Sequence, residues 1–180
     1  IGNSPAMSGE MSIQVRPGGL LIWQGKTYEC ALGKSGITSA KQEGDGATPV
    51  GFYPLREVFY RPDRLAQPAT DLPLTQLNPA DHWCDDPDHA DYNQKVVHPH
   101  RGRVEELWRQ DAVYDVIVVI GYNDKPALKG KGSAIFMHIA KQANNGKLEP
   151  TEGCVALRRD DLLEILEGLT PKCQIEIFDS

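Results

Sequence analysis

The sequence predicts a mainly β domain with one packed helix and one long irregular insertion. Short apolar or alternating stretches, separated by turns rich in Gly and Pro, predict strands along most of the chain. One stretch near the C-terminus has apolar residues at helical spacing. Residues 61–104 show no strong periodicity of either kind. A chain of 180 residues is long enough for one domain with a full hydrophobic core.

The first third of the chain has the pattern of a β-meander. Apolar or alternating residues bounded by glycine-containing turns predict three strands, at residues 12–16, 20–24 and 27–32. A polar, glycine-rich loop follows at residues 33–49. Residues 51–60 predict a further strand, in which Pro54 indicates an edge or a bulge.

The middle of the chain combines a long aperiodic segment with the strongest strand signal. Residues 61–104 contain four of the five histidines, and a stretch of this length without periodicity predicts a binding loop or lid. Residues 104–110 predict a short helix. The β-branched run at residues 114–121 predicts a strand covered on both faces, with residues 133–139 as its neighbour.

The last part of the chain predicts a helix followed by a strand. The apolar spacing places the helix after Asp160, which we expect as its N-cap, and Gly168 or Pro171 ends it. Its apolar positions are Leu162, Ile165, Leu166 and Leu169. Residues 173–178 alternate as the final strand.

Composition and charge narrow the function classes. A net charge of −6 argues against general nucleic-acid binding, and no apolar run approaches the ~20 residues that span a bilayer. The four cysteines do not have the spacing of a disulfide framework. Residues 1–9 resemble a vector-derived or disordered start, so we expect a single domain at residues 10–180.

Cys154 and His138 are the candidate catalytic residues. A thiol attacks as thiolate, and a nearby imidazole or a helix N-terminus raises the thiolate fraction. Cys154 lies on a turn just before the predicted helix, and His138 ends a predicted core strand. Gly153 permits a tight backbone, so that the amides of Gly153 and Cys154 can face an oxyanion, while Thr151 orders the turn. These residue types predict acyl transfer by a Cys-His enzyme.

Two motifs resemble the L,D-transpeptidase catalytic domain (YkuD-type) family, as a divergent branch. That family has a histidine followed at a set distance by a Ser/Thr-x-Gly-Cys turn, which His138 and Thr151-Glu152-Gly153-Cys154 match in order and spacing. An upstream stretch, Thr48-Pro49-Val50-Gly51-Phe52-Tyr53, resembles the family's T-P-x-G-x-Y/F motif. The resemblance covers about residues 12–178 and implies a β-sandwich or flattened mixed barrel with one packed helix.

The resemblance also implies the chemistry. Cys154 is the nucleophile, His138 the general base and acid, and a backbone carbonyl orients the imidazole. The donor is a peptidoglycan stem tetrapeptide, which loses its terminal D-alanine, and the amine of a second stem resolves the thioester. This substrate class implies the periplasm or cell envelope. We expect no cofactor and no metal.

Three positions depart from the family pattern. Glu152, Ala156 and Ile139 stand where the family commonly has His, Arg and Gly. We expect Arg61, in the loop after the upstream motif, to replace the missing arginine charge. With Tyr60 and Thr151, it forms the predicted substrate-binding set.

Two alternatives remain open. The same Cys-His site with water as acceptor would give an L,D-carboxypeptidase or amide hydrolase. A non-catalytic cell-wall-binding domain is the other alternative, or a metal-binding module that uses the His/Cys/Asp segment at residues 81–100. The spacing in that segment matches no zinc motif, so a polar lid is the preferred interpretation.

Overall fold

The computed structural model describes residues 11–180, and the expected start at residues 1–9 lies outside them. The described residues form a mainly β fold with one helix, as the sequence predicts. The helix is α1 (Arg159–Gly168). The strands are β1 (Ser12–Arg16), β2 (Leu20–Trp23), β3 (Lys26–Ala31), β4 (Ile37–Thr38), β5 (Thr48–Pro49), β6 (Gly51–Tyr60), β7 (Leu74–Gln76), β8 (Asp81–Cys84), β9 (Lys95–Val97), β10 (Val104–Glu106), β11 (Val116–Ile120), β12 (Phe136–Ile139), β13 (Val155–Leu157) and β14 (Gln174–Ile177).

The main sheet is mixed and closes on itself. Its nine strands run in the order β11-β12-β13-β3-β2-β1-β14-β6-β7, and an additional pairing of β6 with β11 closes the ring. The pairs β12–β13 and β1–β14 are parallel, whereas β11 is antiparallel to both β12 and β6. β6 pairs with β14 up to Pro54 and with β11 from Leu55 onward. Pro54 therefore lies where the strand changes partner, and the mixed-barrel expectation is confirmed.

Strand β11 is covered on both faces, as its β-branched run predicts. All five of its residues are buried. Val116, Val118 and Ile120 pack in the larger core cluster, which also contains the apolar face of α1. Ile117 and Val119 face a second cluster that contains Phe136 and Cys154. The candidate nucleophile is thus packed against the central strand of the sheet.

Helix α1 covers the larger cluster but does not reach the candidate nucleophile. Leu162, Ile165 and Leu166 are buried, which confirms the predicted apolar face. The N-cap is Arg158 without a side-chain cap, so the expectation of Asp160 as N-cap is wrong. Asp160 instead lies in the first turn, where its charge still favours the helix dipole. Because β13 separates Cys154 from α1, the helix N-terminus does not activate the thiol.

The insertion contains more regular structure than its sequence predicts. β8, β9 and β10 form a three-stranded sheet, and β7 adds to β6. The short helix expected at residues 104–110 is instead strand β10, because Val104 and Glu106 pair with β8 and such pairing outweighs local preference. Trp83 of β8 packs edge-on against Phe136, with ring centroids 5.0 Å apart, so the insertion sits on the second cluster.

All four cysteines are free thiols. Within residues 11–180, no helix has the length and apolar character needed to cross a bilayer.

Candidate active site

Parallel pairing of β12 and β13 brings Cys154 and His138 onto one face of the sheet. Met137 is level with Val155 in this pair, so Cys154, directly before β13, lies beside Phe136. The Phe136 amide donates to the Cys154 Sγ over 3.3 Å. His138 is two residues farther along β12 and therefore projects from the same face as Phe136. The register of the two strands thus places residues that are far apart in sequence on the same face of the sheet.

Cys154 lines a cavity of about 240 Å³. The residue is only 7% exposed, yet it forms part of the cavity wall. The charged residues that line the cavity are Lys41, Glu43, Asp85, Glu105 and Glu152. Two of these come from the three-stranded sheet, because Asp85 directly follows β8 and Glu105 lies in β10. The wall therefore carries four carboxylates and one ammonium group.

The thiol and the imidazole are both neutral in this environment. Burial raises the pKa of the Cys154 thiol to about 12, and burial lowers the pKa of His138 to about 4. The thiol donates to the Ala134 carbonyl over 3.2 Å. No hydrogen bond joins Cys154 to His138 among residues 11–180, which corrects the expectation of a thiolate ionised by direct contact. Proton transfer must accompany attack on the substrate.

A backbone carbonyl fixes the tautomer of His138, as the resemblance implies. The ring Nδ1 lies 2.8 Å from the Ile139 carbonyl oxygen. Since a carbonyl oxygen only accepts, this contact assigns the proton to Nδ1 and leaves a lone pair on Nε2. The Tyr114 ring packs edge-on against the imidazole, with centroids 5.2 Å apart. His138 therefore has the form of a general base.

The turn before Cys154 is held by Thr151. Its Oγ1 donates to the Cys154 carbonyl over 2.7 Å and accepts from the Gly153 amide over 3.1 Å. Gly153 has φ +146°, and a Cβ there would lie 2.8 Å from the Ala47 carbonyl oxygen. Because the Gly153 amide already donates to Thr151, it is not available as one of the two predicted oxyanion donors. The amide of Cys154 has no acceptor in the described part of the chain and is the remaining donor.

Thr48 connects the upstream motif to this turn. Its side chain is fully buried. The hydroxyl donates to the Gly153 carbonyl over 2.8 Å and accepts from the Gly33 amide over 2.9 Å. The threonine of the T-P-x-G motif thus positions the residue before the candidate nucleophile.

Comparison with known proteins identifies the family of this chain. The profile of the L,D-transpeptidase catalytic domain (YkuD) matches residues 12–177. The chain belongs to the YkuD family. One solved structure that is similar to it is described as "Structure of LD transpeptidase LdtMt1 in complex with imipenem", with 13% identity and a TM-score of 0.43. The match covers 94% of this chain and 59% of that chain. No curated protein matches.

The YkuD arginine position is filled by a buried alanine. Ala156 is fully buried and packs with Ala31 and Ala140. It pairs with His138 across β12 and with Ala31 across β3, so three neighbouring strands meet there. A guanidinium at this position would be buried in an apolar cluster of small side chains.

Arg61 lies outside the cavity wall. Its guanidinium donates to Asp63 over 2.8 Å and to the Arg109 carbonyl over 2.7 Å, and it stacks 3.6 Å from the centre of the Trp108 ring. The adjacent Tyr60 is buried, and its hydroxyl accepts from Gln76. The structure therefore does not bring Arg61 or Tyr60 to Cys154. Thr151 is close to Cys154, but its hydroxyl is occupied by the backbone.

Lys41 supplies the positive charge that the sequence interpretation placed at Arg61. It is the basic residue of the cavity wall, and its Nζ lies 3.5 Å from the position of a Cβ built on Gly153. Asp45 pairs with it, and the pKa of Asp45 is lowered by hydrogen bonds from Lys41 and from backbone amides, against the opposing effect of burial. No motif in the sequence marked Lys41, because the residue lies in the polar loop at residues 33–49.

The buried Tyr114 and the half-buried Glu105 form a second pair at the cavity. The Tyr114 hydroxyl donates to the Glu105 carboxylate. Burial raises the pKa of Glu105 and holds the pKa of Tyr114 well above its usual value. No motif identified either residue, because the two come together only when the insertion docks on β11.

Proposed function

We propose that this chain is a peptidoglycan L,D-transpeptidase that forms a thioester at Cys154 and releases D-alanine from a stem tetrapeptide. One observation carries the proposal. Cys154, which lines a cavity, shares a sheet face with a neutral imidazole whose Nδ1 proton is held by the Ile139 carbonyl. YkuD membership supports the same reaction class.

The reaction begins with a change of hydrogen-bond partner. The Cys154 thiol turns from the Ala134 carbonyl towards His138, and Nε2 takes its proton as sulfur attacks the carbonyl carbon of the third stem residue. The carbonyl oxygen, which becomes negatively charged, accepts a hydrogen bond from the Cys154 amide. Collapse breaks the amide bond, and the imidazolium gives its proton to the departing D-alanine amine. A neutral ground state avoids a buried, unpaired ion before substrate binds.

The charges of the cavity wall suit a diamino acid. Such a residue carries an ammonium group and a carboxylate. The carboxylates of Glu43, Asp85 and Glu152 complement the ammonium group, and Lys41 complements the carboxylate. We infer that these residues, in place of Arg61 and Tyr60, contact the stem peptide.

The acceptor decides between the two enzymatic outcomes. The amine of a second stem attacks the thioester carbonyl, expels the thiolate and leaves a cross-link, whereas water gives a shortened stem by L,D-carboxypeptidase chemistry. Either reaction takes place on peptidoglycan, so the proposed location is the periplasm or cell envelope. A non-catalytic wall-binding domain would need neither the thiol nor the imidazole.

Product masses separate these possibilities. The chain is incubated with disaccharide tetrapeptides and the products are analysed by mass spectrometry. Cross-linked dimers support transpeptidation, and disaccharide tripeptides alone support hydrolysis. A carbapenem should acylate Cys154, as a mass increase on the tryptic peptide that contains it.

Matched variants test the assigned roles. Cys154→Ala and His138→Ala should abolish product formation and acylation, whereas Cys173→Ala, which removes a buried thiol away from the cavity, should retain both. Full activity in Cys154→Ala or His138→Ala would refute the mechanism. Binding to intact peptidoglycan without any product or adduct would favour the wall-binding alternative.

A further inference from the structure

The insertion brings a thiol and two imidazoles together at a second place. Cys84 ends β8, and His89 and His100 lie in the loops on either side of β9. One ligand atom of each residue lies within 4.8 Å of the others. Cys84 is fully buried, and the two histidine rings have centroids 4.3 Å apart. None of the three lines the Cys154 cavity.

The surrounding hydrogen bonds fix the tautomer of both rings. The Nδ1 atoms of His89 and His100 accept hydrogen bonds from the backbone amides of Asp91 and Gly102, each over 3.0 Å, so Nδ1 carries no proton in either ring and a metal bound there would take the place of the amide. The other nitrogen of His100, Nε2, lies 2.9 Å from the Asp91 carboxylate. A carboxylate that accepts from the far nitrogen of an imidazole is the usual partner of a metal-binding histidine.

The backbone around Cys84 is also fixed. Its amide donates to the Gln94 carbonyl over 2.9 Å, and its carbonyl accepts from the Asn93 amide over 2.8 Å. The sulfur is therefore presented from an anchored strand end. In a tetrahedral site with these ligands, adjacent ligand atoms are about 3.3–3.7 Å apart. The three ligand atoms here lie within 4.8 Å of one another, so side-chain movements of about 1 Å would complete the geometry.

We propose that Cys84, His89 and His100 bind one Zn²⁺ ion, with water in the fourth position and Asp91 orienting His100. A thiolate with two imidazoles favours zinc over the oxygen-binding cations Mg²⁺ and Ca²⁺. Binding releases the thiol proton to solvent, and the metal replaces the two amides now received at Nδ1. This site revises the expectation, drawn from sequence spacing, that the chain holds no metal.

His82, the histidine that the sequence places next to this cluster, is not part of it. Its Nδ1 lies 2.9 Å from the Ala80 carbonyl, and its ring packs beside His98 with centroids 5.7 Å apart. His82 and Cys84 are two positions apart and share a face of β8, but only Cys84, at the end of the strand, lies within reach of His89 and His100. His82 therefore serves as a control.

The metal site would hold the insertion against the active-site segment. Asn93 lies between the ligands in sequence, and its Oδ1 accepts from the Trp83 indole and from the Ala134 amide, each over 3.0 Å. Ala134 in turn presents the carbonyl that receives the Cys154 thiol. A metal that links residues 84, 89 and 100 would limit the motion of Asn93 against Ala134. It would thereby stabilise the part of the cavity wall that contains Cys154.

Cobalt substitution tests the site directly. The chain is stripped with a chelator, and Co²⁺ is titrated in under reducing conditions. We expect one Co²⁺ per chain, with tetrahedral d–d bands and a thiolate-to-cobalt charge-transfer band, both displaced by Zn²⁺. The experiment measures metal binding and not catalysis, so its result does not depend on the reaction proposed at Cys154.

Two pairs of variants locate the ligands. Cys84→Ser should abolish the charge-transfer band and Cys154→Ser should retain it. His89→Gln, at a partly exposed position, should weaken Zn²⁺ binding by more than ~100-fold, because loss of a mere partner of a metal ligand already costs about 10–100-fold. His82→Gln should bind normally. Absence of the band in the wild type, its survival in Cys84→Ser, or its loss in Cys154→Ser would overturn the proposal.

Discussion

Replacing Thr48 by valine should damage the candidate active site without touching any reacting atom. Valine has the shape of threonine but lacks the hydroxyl that joins the Gly153 carbonyl to the Gly33 amide. Both partners are buried backbone groups. Each buried group left without a partner costs about 1–3 kcal/mol, so Thr48→Val should lower the free energy of unfolding by about 2–6 kcal/mol.

The matched control is Thr48→Ser, which keeps the hydroxyl and loses one methyl group. Its expected cost is about 1 kcal/mol. Urea unfolding measures the stabilities, and the rate of acylation by a carbapenem reports how well Cys154 is presented. Since displacements of about 1 Å can reduce rates about 100-fold, acylation should fall strongly in Thr48→Val and little in Thr48→Ser.

The comparison between the two variants decides the matter. If Thr48→Val unfolds and acylates like the wild type, the hydroxyl does not hold the turn. If Thr48→Ser is as damaged as Thr48→Val, packing of the methyl group matters and the hydrogen bonds do not.

Three further predictions concern charge. Because His138 stays neutral in the folded chain, the unfolded chain binds more protons between pH 6.5 and about pH 4. As the pH falls over this range, the wild type should lose about 3 kcal/mol of its free energy of unfolding relative to His138→Gln, measured by urea unfolding. If the stabilities of the two proteins change in parallel with pH, the ring is not buried and neutral. Iodoacetamide should modify Cys154 slowly at pH 7, about tenfold faster per pH unit up to pH 9; a plateau near pH 7 in peptide mass spectrometry would indicate a preformed thiolate. Lys41→Met should slow carbapenem acylation about 10–100-fold, as expected for a lost charge-assisted hydrogen bond, whereas Lys41→Arg should retain most of the rate; equal rates in both variants would remove Lys41 from substrate binding.

Local patterns predicted those elements whose own residues carry the signal. The buried run of β11, the apolar face of α1 and the alternation of β14 all follow from side-chain spacing, and each is present. The prediction of a helix at residues 104–110 was wrong, because the helical preference of this segment is weak and β8 offers a pairing partner. The same partner could not be identified from a segment without periodicity.

The candidate site divides in the same way. The sequence marked Cys154, His138 and Thr151, because a family resemblance preserves their order and spacing. It misplaced the positive charge at Arg61, whose guanidinium is held by Asp63 and Trp108.

By itself the sequence determined the fold class, the family and the candidate nucleophile with its candidate base, since these depend on residue type and local spacing. Only the tertiary structure decided which groups surround them. Lys41 and Glu105 join the wall of the Cys154 cavity from distant segments, and Thr48 contacts Gly153 from another. Cys84 meets His89 and His100 across a loop. Burial, which sets the pKa values of Cys154 and His138, exists only after those segments have packed together.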